Sequence, residues 1–207
     1  MARVETSMDE AAVLQDMRHW LEQAVIGLNL CPFAKAVHVR GQIHHVVSHA
    51  KDTTTLLTHL EHELSDLIAA DPQVRDTTLL IAPWCLESFL DFNDAMRAAQ
   101  RRLKQLGLKG VIQIAGFHPL FQFAGTMEND VGNFTNRAPY PTLHLLREAS
   151  VDRAVAAFPQ AEAIFEHNIE MLERLGRSGW DGLGIRRNVL PLPAAGDAGT
   201  RDREDPT

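Results

Sequence analysis

Apolar positions along the chain recur at two spacings, and the changes between them predict the elements in order. From residue 8 to 28, Leu14, Met17, Leu21, Ala24, Val25 and Leu28 return every three or four positions, which gathers them on one face of an amphipathic helix. Gly27 and Asn29 punctuate its end, and Pro32 forbids continuation. Residues 43–48, with the β-branched pair Val46 and Val47, read as a short strand. Asp52 and Thr53 can cap a second helix, whose stripe is Leu57, Leu60, Leu64, Leu67 and Ile68 and which ends by Asp71-Pro72. Residues 77–82 form a compact β-type run bounded by Pro83, the pattern of a strand buried on both faces. A third helix carries Phe92, Met96, Ala99, Leu103 and Leu106 on one side and stops at Gly107. Residues 109–115 supply another strand.

The order α-β-α-β-α-β implies parallel strands joined by helical crossovers. Residues 116–141 then carry no periodic signal. So long an irregular stretch inside a domain is functional or disordered. Its Phe117, Phe121, Phe123 and Phe134 argue for order, because disordered segments are poor in aromatics. In residues 142–148, Leu143 and Leu145 alternate with Thr142 and His144 as in a strand. Ser150 caps a helix over 151–158, and a last helix over 160–175 turns Ala163, Ile164, His167, Met171, Leu172 and Leu175 inward before Gly176. The expectation is an α/β fold: a single sheet of about four mainly parallel strands with helices packed on it, then the long loop and a closing β-α-α. One domain should occupy residues 8–180, with residues 186–207 as a disordered tail of Pro, Gly, Ala and charge.

Composition narrows the function. In 207 residues, 45% are hydrophobic and 23% charged, as in ordinary globular chains. A net charge of −7 argues against a partner bound through a nucleic-acid backbone. No apolar run reaches the roughly 20 residues that span a bilayer, and the first residues lack the apolar core of a signal peptide. Two cysteines, Cys31 and Cys85, suit a reducing compartment, so a cytoplasmic location is expected. Oligomeric state leaves no trace in the sequence.

Ligands of open parallel sheets gather beyond the carboxyl ends of the strands. Two strands deliver unusual sequence there, Pro83-Trp84-Cys85-Leu86-Glu87 and Gly116-Phe117-His118-Pro119. If the strands are parallel, Cys85, Glu87 and His118 share one sheet edge, and the long loop closes over it. His118, held extended by the following proline, is the candidate acid–base group; holding the turn is its bland role. Arg137 can grip a carboxylate or phosphate, with Thr135, Asn136 and Gln122 as further substrate-holding groups. Tyr140 and His144 assist. Cys31 is a candidate nucleophile or ligand only if a neighbour in space activates it, because a helix C-terminus does not favour a thiolate. His118 and His144 with Cys31, Glu128 or Asp130 could hold a divalent metal, although no ligand spacing demands one. His59 and His62 lie on a solvated helix face, His44 and His45 point to opposite faces of their strand, and His167 is a core histidine.

The motifs Gly27-Leu28-Asn29-Leu30-Cys31-Pro32-Phe33-Ala34, Phe117-His118-Pro119, Gln122-Phe123-Ala124-Gly125-Thr126, Thr135-Asn136-Arg137 and Tyr140-Pro141-Thr142-Leu143-His144-Leu145-Leu146-Arg147-Glu148 carry a resemblance. From about residue 10 to 180 the chain resembles a proteobacterial family known as domain of unknown function fourteen-fifteen. The resemblance implies a small bacterial cytoplasmic protein and brings no activity, cofactor or catalytic residue with it. The residues themselves lead to an enzyme acting on a small polar or anionic metabolite, possessing a histidine acid–base group and a polar substrate-holding loop, with metal or thiol assistance left open. The alternatives are a non-catalytic sensor of a ligand, metal or haem, and a protein-interaction module using the aromatic loop.

Overall fold

The computed structural model of the protein describes residues 9–157 and 163–185. Asp9 starts helix α1 (Glu10–Trp20) by accepting from the Ala11 N–H at 3.2 Å. The helix then widens without a break into a π-helical segment, Leu21–Ile26, so the helix expected over 8–28 is one rod in two conformations. Its buried face is Val13, Met17, Trp20, Leu21, Ala24 and Val25. After a short α2 (Ala34–Val39) come β1 (Ile43–Val47), α3 (Thr53–Ala69), β2 (Thr77–Ile81), α4 (Phe89–Gln105) and β3 (Ile112–Phe117). Asp52 caps α3 through the Thr55 N–H (2.9 Å), and Ser88 caps α4. A 3-10 helix (Val131–Asn136) lies inside the long loop, followed by β4 (Thr142–Arg147), α5 (Glu148–Ala156) and α6 (Ile164–Gly182).

The four strands form one sheet in the order β1-β2-β4-β3. Only β1 and β2 pair in parallel, while β4 runs antiparallel to both β2 and β3. This corrects the expectation of a mainly parallel sheet. The first three strands do point the same way, as helical crossovers require, but the long loop turns the chain back and inserts β4 between β2 and β3. A return by loop imposes no parallel direction on the strand that follows it.

Both faces of the sheet are covered. Leu56, Leu60, Leu64 and Leu67 of α3 and Phe92, Ala95, Ala99 and Leu103 of α4 pack with Leu80, Ile112, Ile114, Leu143 and Leu145. On the opposite face, α1 with its π-helical segment, the 3-10 helix and α6 pack with Val47, Leu79 and Ile81. Strand alternation sorts neighbours such as Leu79 and Leu80 to the two sides. Gly116 lets β3 approach α4, since a Cβ there would meet the Phe92 ring at 3.0 Å.

Several stripe positions differ from expectation. Leu56 is the fully buried residue at the start of the α3 stripe, with Leu57 only partly buried against the core, and Ile68 and Leu106 are exposed. In α6, Ala163 and His167 face outward, and the polar Asn168 is the buried residue, donating to the Leu30 carbonyl at 2.8 Å. Gly176 (φ 64°, ψ 178°) breaks α6 without ending it, a backbone conformation open to a residue lacking Cβ. Ser150 is not a cap: β4 runs straight into α5, and the Ser150 hydroxyl donates to Asp76 at 2.6 Å. The tail expected from residue 186 lies outside the described residues, as do residues 158–162. No described helix is long and apolar enough to cross a membrane.

Candidate functional site

Because β2 and β3 point the same way, the segments that follow them share one sheet edge, and His118 joins them. Its Nε2–H donates to the Leu86 carbonyl at 2.8 Å, and its Nδ1 accepts from the Leu120 N–H at 3.0 Å. The ring is fully buried between Phe89 and Phe92, and burial pushes its pKa down to about 4. Leu86 adopts a left-handed backbone (φ 62°), which costs a branched residue energy and persists only where its surroundings hold it. The imidazole is one such hold. With both ring nitrogens on main chain, His118 has no lone pair left for a substrate in this arrangement.

The rest of the loop is tied in the same manner. Arg137, 5% exposed, donates through Nε to the Phe121 carbonyl (3.1 Å) and through Nη2 to the Glu128 carbonyl (2.7 Å), and its guanidinium lies over the Phe134 ring. Its own carbonyl accepts from the Trp20 indole at 2.8 Å. The Asn136 carbonyl accepts from the His118 N–H at 3.2 Å, Thr135 donates to the Gly132 carbonyl, and Gln122 donates to the Thr126 carbonyl. Asn133, which the sequence reading did not single out, is the buried hub: its Oδ1 accepts from the Phe123 N–H and the Thr126 hydroxyl, and its Nδ2 donates to the Met127 carbonyl. Tyr140, 1% exposed, donates to Asp16 of α1 at 2.9 Å. The thiols are subdued by burial: it raises the Cys31 pKa and pushes Cys85 up to about 11. No hydrogen bond joins Cys31 to His118, Arg137 or His144 among the described residues.

A different pair of histidines stands on the α1 side of the sheet. The register aligns His45 of β1, Leu79 of β2, His144 of β4 and Ala115 of β3 in one row, so all four side chains leave the same face. Two strand spacings put the histidine Cα atoms roughly 9.5 Å apart. The upper part of this face, Val47, Ile81 and Thr142, is buried, whereas Ile43, His45, His144, Leu146 and Ala115 below are only partly so. Thr77 and Leu79 form the buried floor between the rings.

Hydrogen bonding orients His144. The Thr77 hydroxyl gives its single proton to the Leu145 carbonyl (2.6 Å), so at 2.7 Å from His144 Nε2 it accepts, and Nε2 carries the ring proton. No hydrogen bond reaches Nδ1 among the described residues. Burial, with the nearby His45, pushes the His144 pKa down to about 4. The His45 pKa is lowered by burial, then by the Arg18 charge, while a backbone hydrogen bond to Ile43 opposes the shift. Its Nε2 is buried with no hydrogen-bond partner. Sequence reasoning weighed His45 only against His44, its neighbour in the chain. The partner that matters lies two strands away.

Arg18 also lines a half-open groove of about 470 Å³ on the outer side of α1, with Gln15, Asp16, His19, Glu22 and Gly184. Among the described residues, no three His, Cys, Asp or Glu side chains are grouped to hold a metal. No curated protein and no solved structure matches the chain. Residues 12–182, from α1 to the end of α6, match the family described as protein of unknown function (DUF1415), and the chain belongs to that family.

Proposed function

We propose that the protein is an enzyme acting on a small polar or anionic metabolite, bound over the half-open part of the sheet with His144 as its acid–base group. The observation that carries this is the ring's setting: His144 is oriented through Nε2 by Thr77, and no hydrogen bond among the described residues engages Nδ1. A base held by a third group is the recurring arrangement of activated catalytic sites. His45, in the same row with an open nitrogen of its own, is the second polar group of the site, and Leu79 and Phe117 supply apolar walls. His118 and Arg137, together with Thr135, Asn136 and Gln122, take the bland role in this reading: they fix the loop and the sheet edge. Tyr140 ties that loop to α1.

Small carboxylates, phosphates, amino acids and polyols should be screened by their effect on the imidazole NMR signals, each histidine assigned by substitution. Ligands of the site are expected to move His144 and His45 together, and His144→Gln should abolish turnover of a true substrate while leaving its binding within a few-fold. Binding retained with no turnover of any ligand in the wild-type protein would assign the site to a non-catalytic binding protein. Ligands that move only loop residues 116–141 would refute the reading.

A further inference from the structure

The unpartnered His45 Nε2 has a chemical meaning that the row of histidines alone does not. A buried acceptor left without a donor costs about 1–3 kcal/mol, so such atoms are uncommon unless something else completes them. The surroundings say what that is. From α1 the Arg18 guanidinium bears on the ring, from α2 the His38 ring does, and from its own strand His44 does; across the row stands His144. The groups whose charge acts on His45, namely Arg18, His38 and His44, are cations or become cations on protonation. The two carboxylates beside Arg18 in the α1 groove are engaged elsewhere: Glu22 lies 3.5 Å from His38, and Asp16 accepts from Tyr140 at 2.9 Å. Arg18 has no ion-pair partner among the described residues; it lines the half-open groove along α1, the helix that packs on β1, and its charge acts on His45.

We propose that the half-open face binds a small oxyanion, a carboxylate or phosphate group, between His45 and Arg18, and that His45 takes up one proton from solvent as the anion binds. The inference rests on the reading of this face as the ligand site and names its substrate class. Without an anion, burial and the surrounding positive charge favour the neutral His45 ring, and Nε2 has nothing to accept from among the described residues. An anion reverses both terms. Its charge offsets Arg18, the ring protonates, and Nε2–H becomes a charge-assisted donor to the oxyanion. By linkage the same anion binds more tightly as pH falls from the ring's pKa in the complex toward its lower value in the free protein, and levels off below that.

The test uses the intact chain with inorganic phosphate and acetate as separate probes. Calorimetry in two buffers of different ionisation enthalpy counts protons, and the His45 ring signal is followed by NMR between pH 5.5 and 8 (roughly the span on either side of a free imidazole pKa). The expected result is net proton uptake at neutral pH, with the His45 signal moving to its protonated position. Arg18→Gln should weaken binding roughly tenfold, the loss of one charged hydrogen bond, and His45→Gln should remove the proton uptake. His144→Gln should leave anion binding in place. Phosphate tight and acetate weak would assign the phosphate class, and the converse the carboxylate class. The anion inference is overturned if neither probe moves the His45 ring. If uncharged ligands still move His144 in that case, the acid–base reading survives alone; if none does, both fall.

Discussion

His118 shows how one side chain can look catalytic in the sequence and serve the backbone in the structure. Its two hydrogen bonds to main chain, at Leu86 and Leu120, are both made by the neutral ring. Its pKa is about 4 in the fold against 6.5 for a free imidazole, so the unfolded chain binds a proton first as pH falls. The contribution of this residue is therefore fully present above pH 6.5 and declines as pH drops from there to 4. A shift of that size corresponds to about 3 kcal/mol at its full extent. Urea unfolding from pH 7 to pH 4.5 should show a steep loss of stability, and His118→Ala should unfold more easily at pH 7, by about 2–4 kcal/mol for two buried main-chain groups left unpaired. The variant should also have a shallower acid slope. A variant as stable as the wild type would contradict the structural role. The sequence placed His118 correctly at the end of a strand, through the apolar run before it and the proline after it. What it touches was not legible, because Leu86 lies 32 residues earlier and meets it only through the sheet.

At the scale of elements, periodicity located the long helices and the strands over 43–48 and 77–82 because each of those patterns is local. The direction of β4 is not a local property. Its alternating Thr142, Leu143, His144 and Leu145 fit equally well at a sheet edge or between two strands, parallel or antiparallel. The insertion is held from its far end by Arg147, which donates to the Leu67 and Ala70 carbonyls at the end of α3 and to the Arg75 carbonyl. Those helix-end carbonyls have no partner within the helix. Arg147→Met keeps the aliphatic stem and removes the donors, and it should lower stability by about 2–4 kcal/mol. The loss should be read in chemical denaturation at pH 7 and should be largely insensitive to salt, because the acceptors are neutral. A change below about 0.5 kcal/mol, the size typical of surface substitutions, would show that β4 is placed by its apolar residues alone.

Across the whole molecule, the three-layer arrangement leaves one stretch of sheet face only partly covered, and the unpartnered His45 Nε2 and the open Nδ1 of His144 lie there rather than in the long loop. The loop was conspicuous in the sequence because it is irregular and polar, but its polar side chains are spent on its own backbone, on the Leu86 carbonyl and on Asp16 of α1. The histidine row was invisible there because it needs the register of β1, β2 and β4 together. The most direct measurement of this account is the imidazole nitrogen NMR spectrum of His144, followed as pH is lowered. The prediction is a single neutral tautomer with the proton on Nε2, persisting through pH 6.5 and protonating only near pH 4, with Thr77→Val altering the tautomer population. A His144 that titrates near 6.5 with mixed tautomers would mean a solvated ring that Thr77 does not orient, and the assignment of this face as the functional site would be wrong.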